Sequence, residues 1–123
     1  FPSPYYTESH LKFREKVRNF VDKEVMPYVD KWDEKKTYPI ELHKKAYKYG
    51  VYSPNFPTKY GGQTFPEWDY FHWFIFHDEL ARCSNGGLVA AVWISLQIGL
   101  GPIMSEACIN EKLRTRVATE CIK

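Results

Sequence analysis

From Cys83 to Ser105 the chain carries no charged side chain, and Leu88–Met104 within it is apolar almost without relief. A helix apolar on every side is either buried in a core or set in a bilayer. Leu88–Met104 is near the lower length for a membrane span. It holds Ser95, Gln97, Gly99, Gly101 and Pro102, however, and its flanks lack an anchoring cluster. The expectation is a fully buried central helix and no membrane span. The rest of the chain must then supply the helices that wrap it.

A length of 123 residues suits one domain, residues 1–123, with room for a real core. The net charge of +2 is too small for a nucleic-acid footprint. Residues 1–60 carry +4 and residues 61–123 carry −2, which reads as well-solvated helix faces in the first half. Cys83, Cys108 and Cys121 form an odd set without metal-type spacing. They read as reduced thiols in an intracellular compartment. The sequence shows no initiating Met, signal peptide or Arg/Ser-rich transit segment, as expected of a mature product or an excised piece.

Periodicity gives an all-α chain of about six helices in an orthogonal or up-down bundle. The first starts near Thr7 or Ser9, either of which can cap free backbone N–H groups. Its core stripe is Leu11, Phe13, Val17, Phe20, Val21 and Val25. Pro27 kinks or ends it, with Trp32-Asp33-Glu34 as a ragged end. Tyr38-Pro39 opens a second helix with Leu42, Ala46 and Tyr49 on one face, stopped by Gly50. Residues 51–66 form a long ordered loop. A third, aromatic-rich helix runs from Pro66 to about Arg82, and Ser84-Asn85-Gly86-Gly87 breaks it. A fourth runs from Leu88 to about Ile98, interrupted by Gly99-Leu100-Gly101-Pro102. A short helix to Ala107 and a last one from Asn110 to Ile122 complete the set.

The residues offer little self-contained chemistry. Asp69 and His72 stand at i, i+3, like half of a helical di-iron site. Glu41-Leu42-His43 has the wrong spacing to be the other half, so no metal is expected, and His72 and His77 read as hydrogen-bonding residues of the core or rim. No serine sits in an elbow motif and no cysteine has a convincing histidine partner. Gly61-Gly62 and Gly86-Gly87 lack the strand–loop–helix context of a phosphate loop, and positive φ at a turn is their expected use. Glu79 and Arg82 are spaced to pair on one helix face, a modest effect of about 0.2–0.5 kcal/mol.

Several short blocks fall in a specific order. Thr7-Glu8-Ser9-His10-Leu11-Lys12-Phe13-Arg14 and Val17-Arg18-Asn19-Phe20 come first. Glu24-Val25-Met26-Pro27, Trp32-Asp33-Glu34, Tyr38-Pro39, Gly50, Pro57, Tyr60-Gly61-Gly62 and Asp78-Glu79-Leu80-Ala81-Arg82 follow. In this order and spacing they resemble the N-terminal helical domain of the flavin-dependent acyl-CoA dehydrogenases, along nearly the whole chain. The aromatic run Trp68 to Phe76 and the following Cys-Ser-Asn-Gly-Gly look closest to a eukaryotic, partly peroxisomal branch. Ala107 stands where the family usually has Gly, and Thr115-Arg116 where it commonly has Tyr-Leu, so the last helix is expected to pack differently.

The resemblance implies an FAD-dependent enzyme that removes two hydrogens across the α,β bond of acyl-CoA thioesters in fatty-acid or branched-chain catabolism. In the family a glutamate takes the α proton while hydride leaves the β carbon for the flavin, and hydrogen bonds polarise the thioester carbonyl. The implied partners are acyl-CoA, the β and C-terminal helical domains of the same enzyme, and further copies in a homodimer or homotetramer. The implied location is the mitochondrial matrix or peroxisome. The family's catalytic glutamate and main flavin motifs lie beyond Lys123. No residue here is therefore expected to be catalytic or cofactor-binding, and the isolated chain is expected to be inactive and not to hold FAD. Aligned on Pro102, the wall of the acyl pocket would include Ile94, Ser95, Ile98 and Gly99; ordinary helix packing explains the same residues equally well. Two other readings stand beside this one: a truncated, non-catalytic helical module that binds a protein through the third-helix aromatics, and an acyl-CoA oxidase or nitroalkane oxidase relative.

Overall fold

The structure, a computed structural model, describes residues 3–122, with Ser95 by its backbone alone. Six α-helices and no strand are found among the described residues, so the chain is all-α, as its periodicity predicts.

Helix α1 (Glu8–Phe20) buries His10, Phe13, Val17 and Phe20. His10 Nδ1 accepts the backbone N–H of Thr7 at 2.9 Å, satisfying a donor at the helix start. Leu11, expected in the stripe, is instead 55% exposed. His10 holds the core position one turn before Phe13, which turns Leu11 outward. A π-turn, Val21–Val25, closed by Met26 N–H to Val21 O at 2.8 Å, buries Val21 and Val25. Pro27 then ends the run, as expected. Trp32-Asp33-Glu34 is no ragged end: it lies within a second helix, α2 (Val29–Lys35), that stops at left-handed Lys36 (φ 53°).

Helix α3 (Glu41–Lys48) buries Leu42 and Ala46, and Gly50 (φ +72°) ends it. The following loop is interior, with Val51, Tyr52, Ser53, Phe56 and Tyr60 all buried. Gly61 takes φ +93° after a short 3₁₀ turn, Thr58–Tyr60. A side chain at Gly62 would collide with the Phe56 backbone.

Helix α4 (Tyr70–Ala81) starts later than Pro66 because Asp69 is its cap, its carboxylate accepting the His72 backbone N–H at 3.1 Å. It buries His72, Ile75, Phe76, Glu79 and Leu80 and packs along α1. Helix α5 (Gly86–Met104) is capped by Asn85, which accepts Leu88 N–H at 2.7 Å. Gly86 and Gly87 lie in its first turn; Ser84 (φ 51°), not the glycine pair, supplies the left-handed residue. The helix carries a π-turn at Ala90–Ile94 and then runs unbroken through Gly99, Gly101 and Pro102. Pro102 lies on the exposed side, where a backbone acceptor left without its helical donor can meet water. The expected break at 99–102 and the separate short helix to Ala107 are therefore absent. Helix α6 (Glu111–Ile122) packs back on α5. Arg114 locks that joint by donating to the carbonyls of Ile103 (3.2 Å), Ser105 (2.9 Å) and Cys108.

The core closes on Trp93 of α5. Its indole N–H donates to Val51 O at 3.2 Å, and its ring lies 6.0 Å from Phe20 and 6.3 Å from Phe76.

Candidate functional site

Helix α5 is not buried all round. Leu88, Val92, Trp93, Leu96 and Leu100 enter the core, while Ile94 is 39% and Ile98 70% exposed and Gly99 faces outward beside them. The expectation of a fully buried central helix fails for a geometrical reason: among the described residues, neighbouring helices cover one side of α5 only. Ile94, Ile98 and Gly99 are spaced i, i+4, i+5, so they form one strip along the open side. Ser95 lies on the same helix, and its side chain is outside the described residues. The space beside Gly99 is open, since a Cβ built there meets nothing within 4 Å. The strip is apolar and uncharged. It can pack against an alkyl chain or another apolar surface, and it carries no group able to move a proton.

A second feature joins two of the helices. Glu79 of α4 is fully buried and binds three guanidinium groups. Arg18 donates from Nε (3.0 Å) and Nη2 (2.7 Å), Arg82 from Nη1 (3.1 Å) and Arg14 from Nη1 (3.4 Å). Arg14 also reaches Asp78 at 3.1 Å and Arg82 reaches Asp22 at 2.9 Å. A buried carboxylate holds only when paired and hydrogen-bonded, and here the pairing ties α1 to α4. Hydrogen bonding to Glu79 raises the Arg18 guanidinium further above its ordinary value. The local Glu79–Arg82 pair is as the spacing predicts; the two α1 arginines are not visible at that range.

The family model described as "Acyl-CoA dehydrogenase, N-terminal domain" matches residues 7–118. This chain belongs to the acyl-CoA dehydrogenase family. It is similar to the acyl-CoA dehydrogenase apdG of Emericella nidulans, 29% identical over 84% of this chain and 26% of that protein. The mitochondrial short-chain specific acyl-CoA dehydrogenase of Bos taurus is 31% identical over 85% of this chain and 24% of its own length. The 3-(aryl)acrylate reductase of Clostridium sporogenes is 29% identical over 74% and 22%. The chain thus spans about a quarter of the length of these relatives. No solved structure gives a significant match.

In this acyl-CoA dehydrogenase domain the Glu79 clamp and the Gly61–Gly62 turn hold the fold, and the α5 strip stays exposed. Two cavities bear on whether these residues suit a flavin dinucleotide. One cavity of about 370 Å³ is lined by Asn55, Trp68, Asp69, Tyr70 and Trp73, near the low end of what even a drug-sized ligand fills. A second, of about 330 Å³, has Lys12 and Lys16 but also Glu8 and Glu67 in its wall, a mixed-charge lining ill suited to a pyrophosphate. Neither cavity includes the strip.

Two histidines expected as hydrogen-bonding residues take up different surroundings. His77 stacks edge-on against Trp73 and Phe76, at 4.4 and 5.3 Å between ring centres, and burial lowers its pKa below the ordinary histidine value. His72 is fully buried and meets a residue that spacing alone does not reveal, His10 of α1, at 4.0 Å between ring centres. Both rings bond the Asp69 carboxylate, His10 Nε2 at 2.9 Å and His72 Nδ1 at 2.8 Å. Desolvation pushes the Asp69 carboxyl up, but hydrogen bonds from His10, the His72 backbone and the His72 ring together hold it well below the usual carboxylate range.

Proposed function

We propose that this chain is the N-terminal domain of an FAD-dependent acyl-CoA dehydrogenase that forms α,β-unsaturated thioesters, and that Ile94, Ser95, Ile98 and Gly99 form one wall of its acyl pocket. The exposed apolar strip on an otherwise core-forming helix carries this reading. Isoleucines bound an alkyl chain by apolar contact, and Gly99 leaves room that any side chain would take away. The opposite wall, the flavin and the proton-abstracting group come from the β and C-terminal helical domains. The role of this domain is to orient and desolvate the acyl chain, not to react with it. The name of the bovine relative supports a mitochondrial location. Assembly as a homodimer or homotetramer follows the same family pattern.

The first test uses the purified chain of 123 residues, incubated with butyryl-CoA or octanoyl-CoA and a dye acceptor. The expected preparation is colourless and reduces no acceptor, whereas the full-length polypeptide carrying this domain is yellow and active. Stoichiometric FAD or acceptor reduction in the chain alone would contradict the proposal. A second reading, a helical module that binds a protein partner, is favoured by one observation. Tyr70, Phe71 and Phe74 of α4 are exposed, and Tyr5 stacks on Phe71 at 5.9 Å.

A further inference from the structure

The His10–Asp69–His72 cluster has the makings of a cation site on this domain, remote in function from any acyl chain. Three donor atoms, one from each residue, lie within 4.8 Å of one another. Asp69 Oδ1 is 2.9 Å from His10 Nε2 and 2.8 Å from His72 Nδ1, and Oδ2 is 3.2 Å from His10 Nε2. Ligands of a tetrahedral zinc stand about 3.3 Å apart at metal–donor distances of about 2.0–2.2 Å. Modest rotations of the Asp69 carboxylate therefore open the triangle enough for an ion.

The outer contacts of the rings decide whether those nitrogens can be vacated. In the metal-free arrangement His10 Nδ1 accepts Thr7 N–H, so Nε2 carries the proton it gives to Asp69. Thr7 Oγ1 lies 2.9 Å from the same Nδ1. If the proton moves to Nδ1, the Thr7 hydroxyl oxygen accepts it and the Nε2 lone pair is freed. His72 has the matching device: Ser9 Oγ is 3.1 Å from Nε2 and accepts a proton placed there, freeing Nδ1. Each imidazole thus has a hydroxyl acceptor behind it, the outer support that metal-bound histidines require. The proton count does not change, because each ring only exchanges one tautomer for the other. Both histidines are buried, with side chains at most 4% exposed, whereas the Asp69 side chain is 46% exposed and borders the cavity of about 370 Å³. Asp69 is the entry side, and water there completes the coordination.

We propose that His10, Asp69 and His72 bind one borderline divalent cation of the zinc class, as a clip between the starts of α1 and α4. Two imidazoles and one carboxylate suit zinc, cobalt(II) or nickel(II) and not magnesium or calcium. The two helix N-termini at the site oppose a cation, and the Thr7 amide gives up its ring acceptor. These costs set the affinity in the micromolar range and not at that of an all-protein zinc-finger centre.

The test uses the whole chain, stripped with chelator and titrated with Co²⁺ and Zn²⁺. The expected results are one equivalent bound with a tetrahedral cobalt visible band, displaced by zinc, and a thermal midpoint raised by about 5 °C or more at a hundredfold excess over the dissociation constant. His10→Asn keeps an acceptor near the Thr7 amide but lacks the Nε2 donor, and Asp69→Asn removes the carboxylate. Both are expected to abolish binding, while His77→Asn binds as the parent does. Should the variants fail to fold, ring proton spectra of the parent decide the question, with zinc shifting His10 and His72 and leaving His43 and His77 in place. Absence of binding, binding undiminished in His10→Asn, or zinc shifts centred on other histidines would each overturn the proposal.

Discussion

At the scale of the residue, Glu79 has the most at stake. It is fully buried, yet its arginine partners are partly exposed, with side chains at 23%, 50% and 38% for Arg14, Arg18 and Arg82. Removing the charge leaves three guanidinium groups around a neutral amide, with Asp22 and Asp78 as their remaining counter-charges. Glu79→Gln is expected to cost about 2–3 kcal/mol, below the ~3–5 kcal/mol of a pair buried on both sides, because water reaches the arginines. The shift of a urea midpoint checks it, and a loss under about 0.5 kcal/mol, the range of an ordinary surface substitution, would mean the clamp is ornamental. The Asp78-Glu79-Leu80-Ala81-Arg82 block is legible in the sequence as a helix end with one local pair. Its partners Arg14 and Arg18 lie more than sixty residues away, and no spacing rule reaches that far. The clue is present in α1, where Arg14 and Arg18 stand at i, i+4 beside the core stripe.

His43 gives a pH prediction at the same scale. It bridges Tyr38 OH (3.1 Å) and Tyr52 OH (3.0 Å), and burial pushes its pKa down. A group whose pKa is lowered by folding is less protonated in the native state than in the unfolded chain. Its contribution is therefore complete above the unfolded value of about 6.5 and is lost as pH falls through the lower folded value. His77 adds in the same direction. Denaturation midpoints at about pH 7.5 and 5.5, on either side of that unfolded value, should show lower stability at the acid pH, and the drop should shrink in His43→Gln.

At the scale of the element, α5 departs most from its sequence reading. Its lack of charge is plain in the sequence, and burial is the simplest inference from it. Periodicity cannot resolve sides when every position is apolar, so the division into a core face and an open face emerges only in three dimensions. Pro102 and the flanking glycines signal a break by their usual effect, but here the helix continues through them. By contrast α3, with its charged outer face and Gly50 stop, is legible almost to its ends. The two faces of α5 should respond differently to substitution. Leu100→Ala, at a position 2% exposed, is expected to cost about 2–4 kcal/mol. Ile98→Asn, at a position 70% exposed, should stay within about 0.5–1 kcal/mol. Equal losses in a urea series would contradict one-sided burial.

At the scale of the whole molecule, the domain is a framework with an exposed apolar strip on its outside. The α1–α4 clamp, the interior loop and the Arg114 lock place α5 with one side open. The order of short motifs along the chain is enough to identify the family, because each marks a turn, cap or clamp that the fold needs. What would cover the strip is not legible in the sequence, and the chain spans about a quarter of its relatives' length. The central claim is that α5 forms the acyl wall, and Gly99 tests it most directly because a side chain there meets open space within this domain. In the full-length polypeptide, kcat/KM for a series of acyl-CoA chain lengths should be measured for the parent and for Gly99→Leu. The account predicts a fall of about 10-fold or more for the longer chains with the shortest substrates little changed, the scale on which pocket volume discriminates. An unchanged chain-length profile in a folded, flavin-loaded Gly99→Leu enzyme would contradict it.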